Sequence, residues 1–169
     1  MVKEIPISNR DLVALVDEQD YDYLKQYKWC LYNGKYAGRN TSRDEQQAGA
    51  PTTIYMHREV MSAVFSKRTV DHINGVFLDN RKENLRLCTQ GQNNLNRPAR
   101  ADNQCGYRGV REKKGRNKPW EARIQLRDKR YFLGHFDNPH DAARMYNFWA
   151  VDLFGEYANL NVIKEETIQ

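Results

Sequence analysis

Cysteine is scarce in this chain. Its 169 residues hold three, Cys30, Cys88 and Cys105. The number is odd, no two are close in sequence and no C-x-x-C occurs. A disulfide framework and a zinc ribbon are therefore not expected, and free thiols in a reducing compartment are the plain reading. Long apolar runs are missing as well. None approaches the ~20 residues that a membrane span needs, and the mean hydropathy is −0.89. Met1 to Pro6 lacks the apolar stretch of a secretory signal. A cytoplasmic protein with no membrane partner follows as the expectation. With 40% hydrophobic residues, its cores should be modest, in one domain or in two or three small ones.

Positive charge is present in excess but is not spread evenly. The formal net charge is +5. Residues 97–136 alone hold twelve Lys and Arg against four Asp and Glu, a net of +8. Residues 1–56 are near neutral and residues 137–169 are acidic. Such a block concentrates a polyanion and binds it by counterion release. Aromatic residues interleave the charges, which sets the block apart from a merely solvated face.

The first 56 residues read as short strands with a helical turn or two. Ile5 and Ile7, then Leu12 to Val16, are β-like, and Asp17 can cap a short helix through Tyr21 to Leu24. Trp29 to Tyr32, Asn33-Gly34 and Lys35 to Ala37 read as a hairpin, because Asn-Gly suits a two-residue turn with positive φ. Trp29 is a core anchor on this reading. Arg39 to Thr52 is polar and reads as a loop. Thr53 to Tyr55 is a strand, and Met56, Val60, Met61, Val64 and Phe65 have helical spacing. His57 lies at the start of that helix and stays outside the expected catalytic set.

The densest chemistry lies in Val70 to Asn96. Asp71-His72 ends a short β run, Asn84 precedes a second run, Leu85 to Cys88, and Thr89 can cap a helix carrying Asn93 and Asn96. This layout can hold one hard metal ion against a phosphate. Phosphodiester hydrolysis needs a water, a group to take its proton, and positive charge where the phosphorane and leaving oxygen develop. An imidazole such as His72 titrates near pH ~6.5 and suits the proton. A carboxylate such as Asp71 suits Mg²⁺, which prefers oxygen ligands. Adjacent residues of a strand face opposite ways, so metal and base positions must flank the phosphate or one must approach from a bend. Asn93 could add an amide oxygen from the helix. Asn84 could donate to a backbone carbonyl and pin the loop that carries His72.

V-D-H-I-N-G, then D-N-R-x-E-N-L-R-L, then T-x-x-x-N-x-x-N resembles the HNH nuclease motif, in the phage and intron-encoded homing endonucleases that lack zinc-binding cysteines. M-H-R-E-V-M at 56–61 resembles that family too. The resemblance implies a ββα-metal finger at about 55–96. It implies Asp71 as metal ligand, His72 as general base, Asn84 as the residue orienting it and Asn93 as the second protein ligand, with Asn94 and Asn96 as neighbouring alternatives. An Asn stands where the motif name has its final His. One divalent ion per site is implied, Mg²⁺ with Mn²⁺ as the alternative, and no small-molecule cofactor.

The basic block has its own pattern. Gly106 to Arg111 opens a strand, Lys113 to Lys118 is a turn, and Trp120 to Leu126 alternates as a half-buried strand. Arg130 to Phe136 is a third strand. Asn138, Pro139 and Asp141 start a helix that Gly155 ends. Its apolar face should bury Tyr146, Trp149 and Phe154. A three-stranded antiparallel sheet packed on one helix follows. Y-R-G-V-R at 107–111, W-E-A-R-I at 120–124, R-Y-F-L-G-x-F at 130–136 and D-A-A-R-x-Y at 141–146 resemble the plant Apetala2-type DNA-binding domain. That resemblance implies a sheet lying in the major groove of double-stranded DNA through Arg108, Arg111, Lys113, Arg123, Gln125, Arg130 and Phe132. Arg123 stands where the family has Glu and Phe132 where it has Trp, so no target sequence carries over.

The fold expected is thus α+β: an HNH nuclease domain over 1–96, a linker over 97–104, an Apetala2-like domain over 105–161 and a tail over 162–169. The function expected is a site-specific, metal-dependent homing endonuclease, acting in a bacterial or phage-infected cell, as a monomer or else a dimer. The alternatives are a non-catalytic DNA-binding regulator and a restriction or packaging nuclease.

Overall fold

A computed structural model describes residues 1–96, 103 and 105–163. The chain divides into two compact units, Met1–Asn93 and Asn94–Gln169. Among the described residues the architecture is mixed α and β, with several small sheets and five α-helices. The expected linker lies outside the described residues except for Asn103, and the expected tail except for Val162 and Ile163. No helix among the described residues is long and apolar enough to cross a membrane.

The first unit opens with an antiparallel pair, β1 (Val2–Pro6) and β2 (Val13–Asp17), and a helix, α1 (Glu18–Leu24). Asp17 precedes α1 but does not cap it. Its Oδ2 accepts instead from the Lys82 N–H at 2.8 Å. Strands β3 (Cys30–Tyr32) and β4 (Tyr36–Asn40) turn at Asn33 and Gly34, both with positive φ. Trp29 is fully buried and donates from Nε1 to the Leu24 carbonyl. The polar stretch 39–52 is not all loop. It contains α2 (Arg43–Gln47), started by a reciprocal Ser42–Glu45 capping box. The sequence hid this helix because it has no buried residue to give it a period.

β5 (Thr53–Tyr55) completes a sheet in the order β3-β4-β5. The helix after it, α3 (Met56–Val60), is shorter than the spacing 56–65 predicts. Ser62 turns the chain at φ 50°. Arg58 then donates to the carbonyls of Ala63, Ser66 and Arg68, in the segment past the helix end. Next come β6 (Thr69–His72), a 3-10 turn at Lys82–Asn84, β7 (Leu85–Cys88) and α4 (Gln90–Leu95). β6 and β7 are antiparallel, with Asp71 opposite Arg86 and His72 opposite Leu85. Ile5, Val16, Leu24, Trp29, Met56, Val70 and Leu85 share one core.

The second unit is a sheet in the order β10-β9-β8, made of β8 (Val110–Glu112), β9 (Trp120–Leu126) and β10 (Lys129–Phe136), packed on α5 (Pro139–Phe154). β8 starts later than the sequence reading placed it. Gly106 and Gly109 both have positive φ. At Gly109 an added Cβ would meet Cδ2 of Tyr146 at 2.2 Å, so only glycine lets α5 lie against this corner. Asn138 caps α5 through the Asp141 N–H, with Pro139 at its first turn. Ala142, Ala143, Tyr146 and Ala150 form the buried stripe. Trp149 was expected in the core but is 38% exposed. It lies on the flank of that stripe, edge-on to the exposed Phe148.

Candidate active site

Asp71 and His72 end β6, and both are buried, at 6% and 3% exposure. Their side chains alternate across the strand and meet different surroundings. Asp71 Oδ2 accepts from Arg86 Nε (3.0 Å) and Nη2 (2.9 Å), the residue directly opposite on β7. The buried Cys88 thiol at the end of β7 is pushed up by burial and then by the Asp71 charge. His72 lies among rings: His57 at 5.1 Å, Phe77 at 5.8 Å and Tyr36 at 6.1 Å between centroids.

Burial pushes the His72 imidazole below its ordinary value, against the opposing pull of Asn80, Asp71 and Asp79. It is therefore neutral at pH 7, the form a base needs. Its Nε2 faces Asn80 Oδ1 at 3.3 Å. The Asn80 amide nitrogen is committed to the Leu78 carbonyl at 3.2 Å, which assigns the oxygen to the histidine. Nε2 then carries the proton and Nδ1 the lone pair.

Asn80 is held by a strand far from it in sequence. The edge of β2 grips the segment, with Leu15 N–H donating to Leu78 O and Asn80 N–H to Leu15 O, each at 2.8 Å. Asn84 closes the same loop. Its Nδ2 donates to the Asp79 carbonyl at 2.8 Å and its Oδ1 accepts from the Asn74 N–H at 2.9 Å. Arg81 and Asn74 both bind the Asp79 carboxylate. Asn84 thus touches the loop, while the residue that meets the His72 ring is Asn80. Asn80 belongs to the quoted D-N-R stretch but carries no chemical mark that separates it from a turn asparagine.

Asn93 is half-buried on α4, where its N–H donates to the Thr89 carbonyl at 2.9 Å. The backbone of Asn93 also lies against the Cys88 thiol. Asn94 is exposed, and Asn96 follows the end of the helix. Among the described residues, no group of three or more His, Cys, Asp or Glu gathers as a metal site.

His57 was left outside the expected set, yet its ring packs on His72, stacked on Tyr55 from its other neighbours. Its Nδ1 is buried without a hydrogen bond. Burial, then the nearby His72 and Arg58, push it down to about 3. The sequence signal was present in its place just ahead of the Asp-His run. What it lacked was any sign that α3 packs back onto β6.

Residues 66–95 match the HNH endonuclease family. Over 150 residues the chain is 27% identical to an uncharacterized HNH endonuclease of Acanthamoeba polyphaga mimivirus, covering 89% of this chain and 75% of that protein. The chain carries an HNH endonuclease domain. It is an enzyme, a nuclease that hydrolyses DNA. No solved structure matches it.

The HNH match ends at Leu95, before the second unit's sheet. There the register puts Arg111 on β8, Arg123 and Gln125 on β9, and Arg130 and Phe132 on β10 on the face away from α5. Lys113 follows β8 in the turn, its N–H bonded to the Pro119 carbonyl at 2.6 Å. Arg108 is placed differently. Asn161 brackets its backbone, and its side chain lies beside the Tyr146 hydroxyl of α5.

Proposed function

We propose that the chain is a metal-dependent, site-specific DNA endonuclease of the homing type, whose residues 69–95 work as a ββα-metal finger and whose second unit is an Apetala2-like DNA reader. The observation that carries the catalytic half is the state of His72: buried, neutral, and fixed in one tautomer by Asn80 beside Asp71.

His72 takes the proton of the attacking water at Nδ1. Asn80 holds the ring, and Asn84 holds the loop that presents Asn80. Tyr36 and Phe77 flank the ring, so the water and scissile phosphate reach it past them. The donor chemistry fits a hard divalent ion, with the Asp71 carboxylate and the Asn93 amide oxygen as its protein ligands. A bound Mg²⁺ or Mn²⁺ supplies Lewis-acid stabilisation of the phosphorane and the leaving oxygen. Because Asp71 and His72 face opposite sides of β6, the phosphate lies at the strand end between them. Arg86 orients Asp71 through its two bonds to Oδ2.

The reader's contacts are Arg111, Arg123, Gln125, Arg130 and Phe132 on the outer face, with Lys113 and Arg108 at its border. Tethering a cutter to a reader raises the affinity of both for one DNA. The test is cleavage of a random duplex library by the purified chain with Mg²⁺, with EDTA, and with His72→Ala. Sequenced ends clustered at one site, lost in EDTA and in the variant, support the reading. Cutting that persists in either control refutes it.

A further inference from the structure

The outer face of the β8-β9-β10 sheet carries one buried acid. Glu121 shares the strand parity of Arg123 and Gln125, which faces away from α5, yet it is only 3% exposed. The register places Arg111 directly across from it on β8 and His135 directly across on β10. Arg111 Nε donates to Glu121 Oε1 at 2.7 Å. Arg123 comes from the same strand, with Nη2 donating to Oε2 at 3.0 Å and Nε 2.6 Å from Oε1. Burial opposes ionisation here, but the two guanidiniums hold the carboxyl below its usual range. The arginine side chains stay 49% and 37% exposed. Arg111 is therefore anchored at its inner nitrogen and Arg123 at Nη2, and both guanidiniums stay partly open to solvent.

Two consequences follow for a DNA-facing surface. A phosphate contact tolerates a mobile cation, while a bidentate contact to guanine O6 and N7 needs a guanidinium fork in one orientation. One carboxylate between two arginines also halves their net attraction for phosphates anywhere on DNA. Both effects favour sequence discrimination over general adhesion.

We propose that Glu121 is a positioning residue that sets Arg111 and Arg123 as readers of guanine edges rather than as phosphate contacts. This rests on the DNA-reading role proposed above for the sheet. The full chain with His72→Ala, in which cutting is removed, is the background for the test. It is allowed to select from a random duplex library, and its affinity for a non-selected duplex is measured against salt. The parent is expected to enrich a motif with fixed guanines. Adding Glu121→Gln should flatten one or two of those guanines and lower the ratio of specific to non-specific affinity about ten-fold, while non-specific affinity is kept or rises. Arg111→Lys and Arg123→Lys keep a cation on Glu121, and so carry the test even if Glu121→Gln fails to fold. Each should flatten the same positions. An unchanged motif in Glu121→Gln, or in both lysine variants, overturns the proposal. A parent that enriches no motif refutes the DNA-reading role itself, an outcome distinct from loss of the guanines alone.

Discussion

Each unit contains a carboxylate gripped by arginine, and the two grips expose opposite things. In the first unit Asp71 is buried and Arg86 largely so, and the pair lies beside a histidine whose pKa burial lowers. In the sheet unit the acid is buried and its two arginines emerge. The first arrangement holds its charges away from water, where a stray charge would be costly. The second presents two oriented cations. On the reading proposed above, one unit cuts and the other reads DNA, and each role can be broken separately.

The largest effect should come from His72→Ala. Cleavage under Mg²⁺ should fall about 10²- to 10⁴-fold, the scale of a lost general base, while gel-shift affinity stays within a few-fold. Loss of binding instead would merge the two roles. The converse variant is Lys113→Ala with Arg130→Ala, basic contacts that lie outside the pair held by Glu121. The slope of log affinity against log salt should flatten by ~0.9 for each phosphate contact removed, and single-turnover cleavage at saturating DNA should change little. An unaltered slope would take those residues off the phosphates.

A smaller effect is expected from Asn80→Ala. It removes the contact to His72 Nε2, a loss of about 0.5–1.5 kcal/mol of stability. Cleavage should drop more than DNA affinity. If kcat is unchanged, Asn80 holds the loop and not the tautomer. The smallest effect concerns acid. His57 lies at about 3 when folded, against ~6.5 for a free imidazole. As pH falls from ~6.5, the unfolded chain takes the proton first, so stability that is complete above ~6.5 is lost progressively towards pH 3. Between pH 6.5 and 5 the melting of the HNH unit should weaken, and His57→Phe should lessen that dependence. A variant with the same pH slope would acquit His57.

Much of the scaffold was legible in the residues. β5, β7 and β9 fall where their apolar runs place them, and the Asn138–Pro139–Asp141 start of α5 is written in side chains that bond their own backbone. Local rules sufficed there because the forces are local. α2 escaped notice because it buries nothing, and α3 ends early at the positive-φ turn of Ser62, where Arg58 bonds the carbonyls beyond. At the site, Asp71 and His72 are marked by their chemistry, but Asn80 and His57 are marked only by what folds onto them. Those contacts join residues far apart in sequence, from β2 to the loop and from α3 to β6, and no local pattern records them.

The hold of β2 on residues 78–80 also bears on how far the HNH segment can travel. The matched stretch 66–95 contains Asp71, His72, Asn84 and Asn93, but the strand that fixes Asn80 begins at Val13, and a bond to Asp17 steadies Lys82. Grafted alone into another protein, the stretch would bring its histidine without the clamp that aims it. A working transplant should therefore carry the amino-terminal hairpin with the motif, as one cassette.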